Sequence, residues 1–202
     1  ALAECAVLKR IAEALNAGKA ARSVDLDEDE RLLVKNFSLL TMKPMIYVAN
    51  MSEEEIADPQ SNEYYCQVRE HAEKEHNRIV PICAKIEEEL SELDKEEKDL
   101  FLQDLGIQES GLDQVIKSAY AILDLCTFLT AGEDECRAWT FHRGMKAPQC
   151  AGVIHTDFER GFIRAEAYSF EDIDELESEH AIKEAGKLRS EGKEYVVQDG
   201  DI

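Results

Sequence analysis

Apolar positions recur along this chain in successive rhythms. In the first, Leu8, Ile11 and Leu15 share one helical face while Lys9, Arg10 and Glu13 lie elsewhere, and Gly18 marks the stop. A second helix is expected from about Asp27, with Leu32, Leu33 and Phe37 on its inner side. The pattern fits an antiparallel hairpin end, the tail of a longer coiled coil entering at residue 1, or ordinary core helices.

From Pro44 short apolar runs alternate with polar helices. Met45 to Ala49 is continuously apolar, as a parallel strand covered on both faces must be. Tyr64 to Glu75 reads as a helix, Ile79 to Cys83 as a second buried strand, Glu87 to Leu105 as an acidic helix and Gly111 to Leu125 as a long amphipathic one. Strand, helix, strand, helix predicts right-handed crossovers and a parallel sheet, although two strands are too few for an independent α/β domain.

Beyond Leu125 the period becomes two. Cys126 to Thr130 and Cys136 to Phe141 alternate around the turn Ala131-Gly132-Glu133-Asp134, a hairpin pattern. Pro148 suits a first helical turn, and the helix from Gln149 to Phe158 would carry Val153, Ile154 and Phe158 on one side. Ile163 to Phe170 reads as a strand, Ile182 to Leu188 as a short helix and Tyr195 to Val197 as a strand before the turn Gln198-Asp199-Gly200-Asp201. This is the element order of a small β-grasp sheet, with a boundary near Leu125. In such a sheet a strand after the final turn runs through the middle, so a short alternating apolar strand is expected beyond Ile202, paired with Cys126 to Thr130.

Composition narrows the function. With 202 residues and 44% hydrophobic content the chain can bury one sizeable core or two modest ones. A net charge of −21 excludes bulk attraction to nucleic acid or anionic membrane, so any RNA contact must come from a local basic patch. Six cysteines are scattered without a Cys-x-x-Cys pair, which suits reduced thiols and argues against zinc. No apolar run approaches the ~18 residues of a membrane span, and no signal peptide opens the chain.

The first apolar strand runs into Asn50-Met51-Ser52-Glu53. An Asn closing a buried strand, with a carboxylate three residues on, resembles the base-reading loop of P-loop nucleotide hydrolases, which usually reads Asn-Lys-x-Asp. Taken alone, Asn50 fits a strand-end turn better. Longer stretches decide between these readings. "KPMIYVANMSEEE", "RIVPICAKIEEEL", "DLCTFLTAGEDECRAWTFHRGMKAPQCAGVIHTDFERGFIRAEAYSFEDI" and "GKEYVVQDGDI" together resemble the C-terminal part of Obg-like ATPases of the YchF type, over nearly the whole chain.

The resemblance implies an α/β plus α+β protein. Residues 1–38 would be the end of a helical coiled coil, 39–125 the C-terminal half of a P-loop nucleotide-binding domain with a parallel sheet, and 126–202 a TGS domain, a ubiquitin-like β-grasp module. It also implies ATP preference over GTP, with Asn50 bracing the loop, Met51 and Glu53 replacing the guanine clamp, and Cys83, Ala84 and Lys85 forming a second base-contacting loop. The chemistry is consistent. In the guanine-reading loop an Asp carboxylate accepts two hydrogen bonds from guanine N–H groups. Adenine presents a ring acceptor there instead, and a fixed carboxylate would face a lone pair. Met51 offers a soft apolar surface beside a base.

No Gly-x-x-x-x-Gly-Lys-Ser/Thr and no Asp-x-x-Gly occurs: Gly18-Lys19, Gly186-Lys187 and Gly192-Lys193 are each followed by neither Ser nor Thr. The expectation is therefore a fragment of a longer ATP (or GTP) hydrolase, inactive alone, whose nucleotide and Mg²⁺ chemistry belongs to the full-length parent. By the same resemblance the partner is the ribosome or ribosomal RNA through the TGS domain, in the cytoplasm, with no membrane and no DNA sequence specificity. The alternatives are a stand-alone non-catalytic RNA- or ribosome-binding module and an acidic protein-interaction scaffold.

Other constellations are weaker. Arg137, Trp139, His142, Arg143 and Lys146 form a basic, aromatic cluster that could contact phosphates and stack on a base, or could place Trp139 and Phe141 in the core with Arg137 at the rim. His71 and His76 are spaced as solvated side chains rather than metal ligands, and no metal site is expected. His142 and His155 have no triad partners legible in sequence. The acidic run Asp172, Asp174, Glu175, Glu177 and Glu179 reads as a solvated face. Cys83 is either a redox-sensitive thiol at the base loop or a small buried hydrophobe.

Overall fold

The computed structural model describes residues 2–75, 77–132 and 135–202. They form two compact units, residues up to 122 and residues from 123 onward.

In the first unit α1 (Leu2–Asn16) and α2 (Glu28–Val34) enclose a small core of Val7, Ile11, Ala21, Leu26 and Val34. Gly18, at φ +74°, lets the chain leave α1 in the left-handed conformation that a side chain would resist. Asp27 starts α2 by accepting the Glu30 N–H at 2.8 Å while Glu30 accepts the Asp27 N–H, a reciprocal cap. The inner face differs from expectation: Leu32, Leu33 and Phe37 are exposed and Val34 is buried. The reason is length. α2 ends after seven residues and tightens into a 3₁₀ turn, Lys35–Phe37, closed by Ser38 at φ +47°, so the 3.6-residue period does not carry Phe37 inward.

β1 (Ile46–Asn50) and β2 (Arg78–Ile82) pair in parallel, from Ile46 opposite Arg78 to Asn50 opposite Ile82, with α3 (Glu63–Lys74) as the crossover. The Arg22 guanidinium, 2.9 Å from the Glu75 carboxylate, holds that carboxyl below its ordinary pKa and ties the helical segment to the end of α3. The acidic region expected to be one helix is two, α4 (Ala84–Ser91) and α5 (Lys95–Asp104), because Asp94 and Glu97 form a second reciprocal cap and restart the helix. Cys83, Ile86 and Leu90 pack against Phe101, Leu102, Leu105 and Ile107. α6 (Gly111–Ile122) stops short of Leu125, since Asp124 at φ +54° leaves helical space and Leu125 already starts a strand.

In the second unit β3 (Leu125–Ala131) and β4 (Cys136–His142) are antiparallel, Leu125 opposite His142 and Ala131 opposite Cys136. Of the turn expected between them, Glu133 and Asp134 lie outside the described residues. Cys126, Phe128, Phe141 and Cys150 form the core, with Trp139, Met145, Ile154 and Val197 against it. The single helix expected for 149–158 is two, α7 (Ala147–Ile154) and α8 (Thr156–Gly161). His155 is extended between them and its Nδ1 accepts the Asp157 N–H. Ile154 therefore packs inward while Val153 and Phe158 stay exposed.

β5 (Ala165–Ala167) is shorter than the strand expected over 163–170, because Ser169 and Asp172 cap α9 (Phe170–Leu176) and draw Phe170 into a helix. α10 (Glu179–Glu184) begins earlier than expected, capped by Ser178. β6 (Arg189–Glu191) pairs antiparallel with β5, though its three residues carry no apolar alternation to announce a strand. Tyr195 to Val197 makes a single bridge, Lys146 to Val196, rather than a ladder. The acidic run is not simply solvated: Lys187 sits 2.9 Å from both Asp172 and Glu175 and lowers the Asp172 pKa to about 2.

Residues 200–202 lie between β3 and the residue after β5. Gly200 N–H donates to Thr127 O (2.8 Å), Leu129 N–H to Asp201 O (2.8 Å), and Ile202 and Tyr168 exchange backbone bonds at 2.8 and 3.1 Å. Past them, Leu129–Ala131 and Ala165–Ala167 flank a cavity of about 590 Å³.

Candidate nucleotide-base site

Asn50 is the last residue of β1 and Ile82 the last of β2, so the parallel register delivers two loops to one end of the sheet. Met51 N–H donates to Ile82 O at 2.7 Å, extending the pairing one residue into the loop. The Asn50 side-chain oxygen accepts the Ala84 N–H at 3.1 Å. That N–H opens α4, whose own N-cap residue, Cys83, makes no side-chain cap, so Asn50 satisfies an orphan donor from across the sheet. Such a cap contributes roughly 1 kcal/mol and fixes the two loops to each other.

The first loop is pinned a second time. Glu55 accepts Ser52 Oγ–H at 2.8 Å and the Asn62 side-chain amide at 2.7 Å, and the Asn62 bond lowers its pKa. Across the opening, Lys85 Nζ lies 2.5 Å from Glu53 Oε1, and this contact raises the Lys85 pKa. Both side chains are exposed, so in water the pair contributes little to stability.

Asn50, Met51, Glu53, Cys83, Ala84 and Lys85, with Ser52 and Glu54, line a cavity of about 400 Å³. Structure thus gathers residues more than thirty positions apart around one concavity, with an acceptor–donor pair at its rim. Cys83 is 5% exposed and packs with Ile86 and Leu90, which favours its role as a small hydrophobe over that of a reactive thiol.

The basic cluster is not brought together. Arg137 stacks 4.3 Å over Trp139, whose indole N–H donates to Thr130 Oγ1 at 2.9 Å and whose ring packs on the core. His142, Arg143 and Lys146 lie at the other end of β4, roughly 17 Å away at 3.3 Å per residue. Each cation has an acidic neighbour: Arg137 with Glu135 at 3.9 Å, Arg143 with Asp124 at 3.2 Å, Lys146 with Glu194 at 2.5 Å.

His71 lies 3.7 Å from Glu75, and His76 is outside the described residues. Among the described residues no group of three or more His, Cys, Asp or Glu is placed to hold a metal ion, and no helix is long and apolar enough to cross a membrane. Sequence reasoning missed Ile82 and Glu55. The Ile82 contact is made by backbone and has no side-chain signature, whereas Asn62 ahead of a helix was a cap signal that could have located Glu55.

Residues 125–202 match the family YchF-GTPase_C, described as a protein of unknown function (DUF933). The ribosome-binding ATPase YchF of Bacillus subtilis is 56% identical over 202 residues, all of this chain and 55% of that protein. That of Haemophilus influenzae is 50% identical over 199 residues, 98% of this chain and 54% of that protein. The solved Schizosaccharomyces pombe YchF GTPase superposes with a TM-score of 0.83 at 35% identity, covering 98% of this chain and 52% of that one. The chain belongs to the YchF family and spans about half the length of the curated relatives it matches.

Proposed function

We propose that this chain is the C-terminal portion of a ribosome-associated, ATP-preferring P-loop hydrolase of the cytoplasm and carries its base-recognition loops. The observation that carries this reading is the paired clip Asn50 to Ala84 and Met51 to Ile82, which sets both loops around one cavity. Residues 39–125 act as the second half of the nucleotide domain, after a coiled-coil end at 1–38. Residues 126–202 act as the TGS β-grasp module that meets ribosomal RNA, with Arg137 over the partly exposed Trp139 as a candidate contact. The names of the relatives, which couple ribosome binding to ATPase activity, support both halves.

The sequence holds no Gly-x-x-x-x-Gly-Lys-Ser/Thr phosphate loop, so the triphosphate contacts are assigned to the rest of the full-length protein. What the chain supplies is base placement: Asn50 fixes the loops, Met51 supplies apolar surface, and Glu53 with Lys85 presents an acceptor and a donor at the rim. Since phosphate contacts normally dominate such affinities, the 202-residue polypeptide should bind ATP only weakly and show no turnover. Isothermal titration and phosphate release measure this. Turnover that responds to an Asn50 or Glu53 substitution would contradict the assignment.

In the full-length protein, Glu53→Asp with Met51→Lys should restore part of a guanine clamp and move the ATP-to-GTP affinity ratio toward GTP by about tenfold, one good hydrogen-bond pair's worth. Competition binding reads the ratio, and an unmoved ratio would place base selection outside this loop.

A further inference from the structure

The base loops are held from beneath by the start of α6. Gly111 is pressed against the last residue of β2: a Cβ placed there would lie 2.6 Å from Ile82 Cγ2 and 3.0 Å from Ile82 Cβ, closer than packed atoms tolerate. The Glu87 Oε1 atom would lie 2.9 Å from the same Cβ, and the φ of Gly111 is not among the positive values, so glycine is required here by space rather than by backbone conformation. Glu87, one turn into α4, reaches across and accepts the N–H of Gly111 at 2.6 Å and of Leu112 at 3.2 Å. The carboxylate so placed answers two orphan donors at the positive end of a helix dipole.

This contact is more than helix capping. α6 already has its own N-terminal cap, Ser110 Oγ, which accepts the Asp113 N–H at 3.1 Å. The Glu87 bond instead ties α6 to α4, and the start of α6 bears on Ile82. Ile82 in turn accepts the Met51 N–H and is followed directly by Cys83, Ala84 and Lys85. One residue therefore sets the height of both loops, and Gly111 and Glu87 fix that residue from below.

We propose that Glu87 and Gly111 are positioning residues for base recognition: they set the separation of the Asn50–Glu53 and Cys83–Lys85 loops without touching the base. The proposal rests on the base-site reading given above. A methyl group at position 111 must push aside the Ile82 side chain or the Glu87 carboxylate, and either movement loosens the support of the end of β2, from which Met51 and Ala84 are positioned. Base contacts on both loops then weaken together.

The test uses the full-length protein with Gly111→Ala, Glu87→Ala, Glu87→Gln and, as a control, Asn50→Ala. Measured are ATP and GTP affinities by competition, the melting temperature, and the exchange rate of the Met51 amide without nucleotide. Gly111→Ala and Glu87→Ala should lower ATP affinity about tenfold, compress the ATP-to-GTP ratio and speed Met51 exchange, as expected for a lost hydrogen-bond pair. Glu87→Gln, which keeps one of the two acceptor oxygens and turns an amide donor toward the other N–H, should fall between the parent and Glu87→Ala. A loss of melting temperature with unchanged base ratio and unchanged Met51 exchange would reduce both residues to structural ones and overturn the proposal. If Gly111→Ala does not fold, Glu87→Ala carries the test, because the Ser110 cap remains. If Asn50→Ala leaves both affinities untouched, the base-site reading fails instead, and Met51 exchange still decides whether Glu87 and Gly111 set the loop.

Discussion

Asp201→Ala is expected to cost the second unit about 2–4 kcal/mol and to lower its melting temperature by roughly 10–20 °C. Asp201 is 6% exposed and works as a hub. Its carboxylate accepts Arg189 Nη2–H at 2.7 Å, Tyr195 Oη–H at 2.7 Å and the Gln198 N–H at 2.8 Å, while Arg189 Nη1 donates to Tyr195 Oη at 3.0 Å. Truncation leaves the half-buried Arg189 guanidinium with only the more distant Glu191 carboxylate, 3.7 Å away, and strips the Tyr195 hydroxyl and the Gln198 N–H of their acceptor. Removing one member of such a set costs more than the set contributed, because the remaining groups stay desolvated. The hub also shapes the turn that carries residues 200–202 between β3 and Tyr168, so its loss loosens the sheet as well. Asp201→Asn, which keeps an acceptor but no charge, should fall between the two. Calorimetry of the 202-residue chain, with the second unit followed through the single Trp139, gives the answer. A midpoint within about 2 °C of the parent would mean that solvent already satisfies these groups.

Asp201 was legible in sequence only as a turn residue, and that is typical of what pattern can reach. The parallel pair was legible from the continuous apolar run Met45 to Ala49, although the strand is not covered on both faces in this chain, where Met45 and Val48 are exposed. The hairpin was legible because one face is wet, which forces the alternation around Phe128 and Phe141. Failures arose where a short polar residue stops an element that apolar spacing would continue. Asp94, Ser169 and His155 each cap a helix and so split the helix over 87–105, shorten the strand over 163–170 and break the helix over 149–158. β6 gave no signal because Arg189-Ser190-Glu191 owes its extended form to pairing with β5 rather than to its own side chains.

The candidate site divides in the same way. Asn50, Met51, Glu53 and Cys83 to Lys85 could be named only through the family resemblance of the stretches that hold them, since Asn50 taken alone reads as a strand-end turn. The bonds that join and support them could not: Asn50 reaches Ala84 across 34 residues, and Glu87 reaches Gly111 across 24. The cluster from Arg137 to Lys146 failed for the opposite reason. Closeness in sequence along a strand means separation in space, and the neutralising partner of Lys146, Glu194, is 48 residues away.

A short segment added after Ile202, with apolar side chains at its first and third residues, is expected to raise the melting temperature of the second unit by about 10 °C. Residues 200–202 already run between β3 and Tyr168, bonded to both. Continuing that path leads into the cavity between Leu129–Ala131 and Ala165–Ala167, lined by Phe128, Ile154, Phe162, Leu188 and Val197. One strand with a neighbour on each side spans about 10 Å, and the flanking backbones supply donors and acceptors along its length. Asp201 points inward, so the period of two sends the first and third added side chains to the same buried face. Two well-buried aliphatic groups contribute about 3–6 kcal/mol, and ordering a few residues takes back most but not all of it. The control is the same composition moved by one position, which turns the apolar side chains to solvent and should give no gain. Amide exchange adds a second reading: Ala131 and Glu166 should slow with the in-register segment alone. Equal melting and equal exchange for both segments would show that residues 200–202 end the sheet, and that the cavity is not a strand's place.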